Sequence, residues 1–519
     1  MTMKPPISRR DFLKLLALTA ATFLSKSVDR LLFPGGKSHS DTPGVIILVL
    51  DTLSALNMSL HGYARQTTPN MERFASRSNV YHSHYSTANF TSPGTASILT
   101  GTHPWTHRAF HNEGLVSAEK TDSNLFRWWG DDSIRLGYTQ NAWVDLLLDQ
   151  FSSWLDVHLN LYKFNLNKEP FYRKLLKNDF SASYRSLDSF SMELDPNFSA
   201  SLMSALMRKT SFYLGKQAAD REHASQYPMG VPQTVNDVAS YFLLEDVFDG
   251  LMESSKSLPP SALAYFHLYP PHFPYAPRAK FMDVFKDGWL PPVKPTARLV
   301  KAGDEEAETR IVLEREHYDA YIATVDEDFG RLFDFMEREG VLEKNYVVLT
   351  SDHGDIYERG VIGHTNEYLY EPLIRVPLII SSPGQTSRVD VRTPTSSVDL
   401  APTLLALTGR PIPIACEGVL LPGLGGEEDA QRPIFSMDAK SSHVRGPIRT
   451  ATLSIRKGQF KLIWYFGYEG LEDGFELFDL ENDPEEMSNL TAARPALFSD
   501  LRAELDAKLR EVNAPFVKE

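Results

Sequence analysis

The chain has 519 residues, 42% of them apolar, enough to bury a large core and to fold as one large domain with a smaller companion. Its 67 acidic against 53 basic residues give a formal net charge of −14, which repels nucleic acid and excludes a phosphate-backbone binder. An anionic substrate stays open, because a bound dication reverses the local field. The single cysteine, Cys416, excludes both an intrachain disulfide and a cysteine-rich zinc site.

In chain order, the first readable feature is Ser8-Arg9-Arg10-Asp11-Phe12-Leu13-Lys14, followed by an apolar stretch over 15–24 that only Thr19 and Thr22 interrupt. This pattern looks like a twin-arginine export signal, and it predicts the twin-arginine machinery as a partner. The chain is then expected in the periplasm or outside the cell, or anchored to the outer face of the cytoplasmic membrane. The apolar run is shorter than the ~20 residues of an ordinary span. No clear Ala-x-Ala site follows it, so a cleaved signal and an uncleaved anchor both stay open. A polar linker ends near 41.

Strand-length apolar runs follow at 45–50, 263–269, 346–350 and 376–380, nearly continuous in hydrophobicity, as in strands covered on both faces. Helical patterns separate them. The clearest covers about 314–339, with Tyr318, Tyr321, Ile322, Val325, Phe329, Leu332, Phe333 and Met336 at helical spacing. Another runs from Asp399 to Leu407 and stops at Gly409. Strands alternating with helices predict an α/β fold, a largely parallel central sheet sandwiched by helices.

The domain expected over 42–410 is interrupted at about 146–245 by a stretch rich in Phe, Tyr, Ser, Leu and Lys, read as a helical insertion or a lid. Over 411–519 the pattern changes to a hairpin at 451–456 and 460–465, a strand at 475–480 and a helix near 495–512. This is a small antiparallel sheet with one helix.

The chemistry is concentrated at strand ends. Asp51 closes the first strand, where open α/β sheets place their ligands; a carboxylate there suits a metal ligand or a helix cap. Thr91, in Asn89-Phe90-Thr91-Ser92-Pro93-Gly94-Thr95, opens a predicted helix, where free N–H groups favour an anion. Its hydroxyl is a weak nucleophile unless a base or a metal activates it; otherwise it is a good helix cap. Asp352-His353-Gly354 follows a strand directly, so adjacent side chains can reach one ion. The set Asp51, Thr91, Asp352 and His353 is a mixed O/N donor set that suits zinc or manganese more than calcium. His272, in a proline-rich loop after a strand, and His364, just past the Asp352 turn, are candidates to contact the substrate; His364 could also serve a second metal.

Several segments resemble the alkaline phosphatase/sulfatase superfamily, and its sulfatase-type branch in particular. They are Asp51-Thr52-Leu53, His61-Gly62-Tyr63, Thr67-Thr68-Pro69-Asn70-Met71, 93–101, Pro271-His272-Phe273-Pro274, 318–332, Ser351-Asp352-His353-Gly354, 399–405 and Glu476-Leu477-Phe478-Asp479-Leu480. Their order along about 43–490 carries the resemblance. Three positions depart from the family pattern. Thr91 stands at the place of the Cys or Ser that becomes formylglycine, and Thr95 at the place of the motif's Arg. Thr52 replaces the second acid of an Asp-Asp pair. The lysine usual after the family's Gly-Tyr segment is also absent: Gly137-Tyr138 leads instead to Asn141, Trp143 and Asp145.

The resemblance then implies a metal-dependent hydrolase or transferase in which Thr91 attacks a phosphoric ester or diester, with His272 or His364 protonating the leaving group or binding the ester. The expected substrate is a small-molecule, lipid or glycan ester. Two alternatives stay open: a sulfuric ester hydrolase without formylglycine, and a degenerate envelope binding protein. Asp326, on the long helix, and His443 are further candidates for a second metal, Asp326 also reading as structural.

Overall fold

The computed structural model describes residues 42–111, 114–167, 202–235, 240–300 and 305–517. The export pattern expected over 1–41 lies outside the described residues. Among these, no helix is long and apolar enough to cross a membrane.

The centre is an eight-stranded sheet. Its strands are β1 (Gly44–Leu50), β2 (Asn79–Tyr81), β3 (Arg135–Thr139), β4 (Val157–His158), β5 (Leu263–Leu268), β6 (Asn345–Thr350), β7 (Leu378–Ser381) and β8 (Val389–Val391), in the spatial order β8-β2-β7-β6-β1-β5-β3-β4. Strands β4, β3, β5, β1 and β6 are parallel. Only β7 runs against its neighbours, pairing antiparallel with both β6 and β2. A largely parallel sheet needs helices on both faces. The longer helices are α1 (Pro69–Ala75), α2 (Thr91–Thr100), α3 (Ala142–Gln150), α4 (Leu202–Glu222), α5 (Leu244–Ser257), α6 (Glu305–Arg338) and α7 (Leu400–Leu407), with α2, α3 and α7 on one face of the sheet and α1, α5 and α6 on the other.

The alternation of side chains along β1 shows the sandwich. Val45, Ile47 and Val49 join a core with Ile98 and Leu99 of α2, Leu147 and Leu148 of α3 and Leu404 and Leu405 of α7. Ile46 and Leu48 face the opposite way, towards Phe74 of α1, Leu251 of α5 and Phe329 and Leu332 of α6. The predicted α/β architecture is the one observed.

The differences are local. Strands β2, β4 and β8, of 3, 2 and 3 residues, are too short to show a pattern in the sequence, and β3 is a further strand outside the four predicted runs. The stretch about 146–245, expected as a helical insertion or a lid, also carries a strand, for Val157 and His158 extend the sheet beside β3.

The C-terminal region builds the small antiparallel sheet, β9 (Ile434–Asp438), β10 (Ala451–Lys457), β11 (Phe460–Phe466) and β12 (Gly474–Asp479), with α8 (Pro495–Asn513) packed on β10 and β11. Strand β9 adds an edge that the hairpin reading did not include. Leu453 and Ile455 of β10, Leu462 of β11 and Leu501 and Leu505 of α8 form its core.

Candidate active site

The site grows from the carboxyl ends of the three central strands. Val49 of β1 stands level with His267 of β5 and with Thr350 of β6, so Asp51 and Asp352 emerge side by side just past the sheet while His267 points up from its penultimate row. Ser351 fastens the two ends: its hydroxyl donates to Leu50 O at 2.6 Å and accepts from the N–H of Leu53 at 2.9 Å. Between them the β-branched Thr52 takes a left-handed φ of 64°, a conformation that such residues adopt only where the surroundings impose it. Its N–H faces Asp352 Oδ1 at 3.4 Å.

Helix α2 delivers Thr91 to the same point. A Cβ on Gly94 would lie 2.4 Å from the carbonyl oxygen of Asp352, so glycine is what allows the first turn to rest on the Asp352 backbone. The N-cap of this helix is Phe90, with no side-chain cap bond. The Thr91 hydroxyl is therefore not spent on capping; it lies 3.3 Å from His353 Nε2.

Asp51, Thr91, Asp352 and His353 are thus brought together as the spacing suggested. His353 Nε2 is 3.5 Å from Asp51 Oδ1 and 3.6 Å from Asp352 Oδ2. His267 joins them, its Nε2 lying 3.4 Å from Asp51 Oδ2 and 3.8 Å from Asp352 Oδ2. Sequence reasoning passed over His267. The signal was an imidazole inside an otherwise apolar buried strand, where an unpaired polar group is costly.

The chemistry of this donor set fits a divalent cation. His353 Nδ1 donates to Gly354 O at 2.9 Å, which leaves Nε2 with its lone pair facing two carboxylates. His267 Nδ1 is engaged by the Tyr265 hydroxyl at 3.0 Å, the kind of partner that fixes a ligating imidazole. Asp51 Oδ1, His267 Nε2 and Asp352 Oδ2 are buried without a hydrogen bond among the described residues, and Asp51, His267 and Asp352 can present ligand atoms to one ion. Asp51 Oδ2 is steadied by Asn141 Nδ2 at 2.6 Å.

The titration behaviour agrees. Burial raises the Asp352 carboxyl well above the carboxylate range, and the neighbouring Asp51 charge adds to it. Burial would also raise Asp51, but the imidazoles of His267, His272 and His353 hold it below the usual range. Burial pushes His353 well down, keeping it neutral and able to ligate. Two imidazoles and two carboxylates offer a mixed N/O donor set of the kind that holds a divalent cation. Accordingly, His267→Ala is expected to reduce metal affinity at least about 100-fold, beyond the effect of losing an outer-shell partner. Metal analysis of purified protein checks this; full occupancy in the variant would remove His267 from the set.

Over this floor lies a cleft of about 480 Å³ lined by Thr91, Asn141, His272, His364 and Lys440 among others. His272 and His364 sit edge to face at 4.9 Å, and His364 is 4.5 Å from the His353 ring. His364 Nδ1 is held by Asp355 Oδ1 at 2.9 Å. His272 Nδ1 donates to the Phe273 carbonyl, and burial lowers its pKa, partly opposed by Asp51.

The remaining candidates stand apart. Asp326 accepts from Asn70 N, Asn70 Nδ2 and Met71 N at 2.8–2.9 Å, capping α1 from the long helix. His443 is exposed and accepts from the Arg445 N–H at 3.1 Å. Neither lines the cleft.

Residues 43–410 match the family model described as Sulfatase. The chain belongs to the Sulfatase family. A second model, the C-terminal region of N-sulphoglucosamine sulphohydrolase, matches residues 363–515 of this sulfatase-family chain. The choline-sulfatase of Rhizobium meliloti (strain 1021) is 26% identical over 508 residues, covering 91% of this chain and 90% of that protein. The multifunctional alkaline phosphatase superfamily protein PehA of Trinickia caryophylli is 24% identical over 486 residues, covering 83% and 86%. Among solved structures, the phosphonate monoester hydrolase of Agrobacterium radiobacter superposes with a TM-score of 0.61 at 18% identity, covering 92% and 96%. The family membership and the fold support a sulfatase-like hydrolase.

Proposed function

We propose that this chain is an exported, metal-dependent ester hydrolase in which Thr91 attacks a tetrahedral phosphoryl or sulfuryl centre. The observation that carries the reading is the approach of the Thr91 hydroxyl to the buried set Asp51, His267, Asp352 and His353. A divalent ion held by that set would lower the pKa of the Thr91 hydroxyl and offset charge on the non-bridging oxygens.

The residues then divide the work. Thr91 gives up its proton to cleft water, and its Oγ1 bonds to the central phosphorus or sulfur as the bond to the ester oxygen breaks. The leaving oxygen takes a proton from His364, whose ring Asp355 orients by Nδ1. A water molecule then attacks the same centre and gives one proton back to His364, and the Thr91 Oγ1 that departs regains its proton from cleft water. His272, half-buried in the cleft and with Nδ1 committed to a carbonyl, is suited to accept a hydrogen bond from the substrate or from the attacking water. Asn141 keeps Asp51 in place.

Charge narrows the substrate. A dication with two carboxylate and two imidazole ligands sums to zero, and Thr95 leaves the nucleophile helix without a cation, so the positive charge offered to the substrate comes from the cleft side chains Lys440, Arg310 and the proton-donating His364. Such a site suits a singly charged ester, a phosphate diester or phosphonate monoester, over a doubly charged phosphate monoester. Sulfate monoesters are also singly charged, and the likeness to choline-sulfatase over nine-tenths of the chain favours them as the second reading. The twin-arginine pattern supports export of the folded chain.

The test is a panel of aryl sulfate, phosphate monoester and phosphate diester on stripped protein and on protein reloaded with zinc, manganese or calcium. Turnover of the singly charged esters is expected to disappear on stripping and to return with zinc or manganese. Silence on every ester in every metal would leave a binding protein.

A further inference from the structure

Lys440 enters the cleft from a distant part of the chain. It follows β9 of the C-terminal sheet, yet it lines the same cleft as Thr91. Its side chain is 20% exposed, and its ammonium stands 4.7 Å from the centre of the Phe90 ring, the residue just before Thr91. An ammonium has three protons to donate. One goes to the Asn366 carbonyl at 2.7 Å and one faces the Asp438 carboxylate at 2.7 Å.

The Asn366 carbonyl also accepts from Asn89 Nδ2 at 2.8 Å. One oxygen therefore ties the lysine to the turn that carries Thr91. Asp438, with its side chain only 2% exposed, is set behind the lysine rather than in the cleft. Arg310 is the other lysine or arginine lining this space, but it is exposed on α6, whereas Lys440 is braced against the nucleophile turn.

We infer that Lys440 is a substrate-binding residue whose remaining N–H donates to a non-bridging oxygen of the phosphoryl or sulfuryl group. The C-terminal sheet thereby supplies an ammonium donor that the nucleophile helix lacks. The Phe90 ring and the two oxygen partners fix the ammonium before substrate arrives, so little of its freedom is lost on binding. The inference rests on the proposed reading of the cleft as the reaction site, but not on Thr91 being the nucleophile.

The experiment is calorimetric binding of inorganic phosphate and inorganic sulfate to metal-loaded protein, wild type against Lys440→Gln and Lys440→Arg, with metal content measured on each. Loss of a hydrogen bond to a charged group predicts about 10- to 100-fold weaker anion binding for Lys440→Gln at unchanged metal content. Lys440→Arg should recover most of it. Equal affinity in wild type and Lys440→Gln, or no measurable affinity in the wild type, overturns the inference.

Should Lys440→Gln fail to fold, the wild type answers the question by amine acetylation mapped by mass spectrometry. Phosphate or sulfate should shield Lys440 and leave Lys508 unchanged; unshielded Lys440 is the overturning result. Both readouts are taken without turnover. Anion binding through Lys440 in a protein that cleaves no ester would sink the catalytic proposal while sparing this one.

Discussion

Thr91→Ala is expected to lower kcat by at least about 10⁴-fold, the scale of removing a nucleophile that acts together with its activating group. Metal content and melting temperature should barely move. Thr91 is 5% exposed but is not the helix cap, and its hydroxyl meets His353 Nε2 at 3.3 Å, so little folding energy depends on it. Thr91→Ser keeps the oxygen and should retain a measurable part of the rate. Steady-state kinetics on the best ester of the panel checks both variants. Activity within about tenfold of wild type in Thr91→Ala would assign attack to another group.

Lys461→Met is expected to cost about 3–5 kcal/mol of stability, the range for removing one partner of a buried ion pair. The lysine lies on β11 with no exposure, and its ammonium meets Glu371 Oε1 at 2.9 Å, Glu486 Oε1 at 2.5 Å and the Leu369 carbonyl at 3.0 Å. Glu371 also accepts from the Tyr85 hydroxyl at 2.9 Å, and its N–H donates to Glu486 Oε2 at 2.9 Å. The group therefore pins the C-terminal sheet to the segment between Asp355 and β7.

Methionine fills the volume but takes the ion-pair partner from two buried carboxylates, leaving Glu371 only the fields of Arg375 and Arg456. Burial and Glu371 already press the Glu486 carboxyl upward, even with the lysine present. Because whole domains are stable by about 5–15 kcal/mol, this loss should shift the denaturation midpoint strongly. Converting Glu371 and Glu486 to Gln in the Lys461→Met background should return part of it. An unchanged midpoint in Lys461→Met would show that the pair contributes nothing net.

How far the sequence could be read followed from the kind of signal each element carries. Strands β1, β5 and β6 are continuous apolar runs and stood out, as did α6 through its apolar spacing from Tyr318 to Met336, although the helix begins earlier, at Glu305, where that spacing is absent. Strands β2 and β4, of 3 and 2 residues, carry no period to read and are held by pairing with β7 and β3.

At the site, Asp51, Asp352 and His353 were legible because each sits at a strand end. His267 was not, because it lies within the strand, and only the register against Val49 brings it level with the two carboxylates. Lys440 was hidden for a different reason. It is far from the motif residues in sequence, and the C-terminal sheet must dock before it reaches the Phe90 ring. Asp326 matched a family-like position, but its three hydrogen bonds to Asn70 and Met71 are those of a helix cap.

The central claim is that Thr91 itself carries the phosphoryl or sulfuryl group between the two half-reactions. The direct measurement is to quench metal-loaded protein with acid during turnover of a phosphate diester or an aryl sulfate and to fragment the peptide spanning α2 by mass spectrometry. The account predicts a transferred group on Thr91 that is absent without substrate and absent in Thr91→Ala. A transferred group on Ser92 or on His364, with Thr91 unmodified while turnover continues, would contradict it.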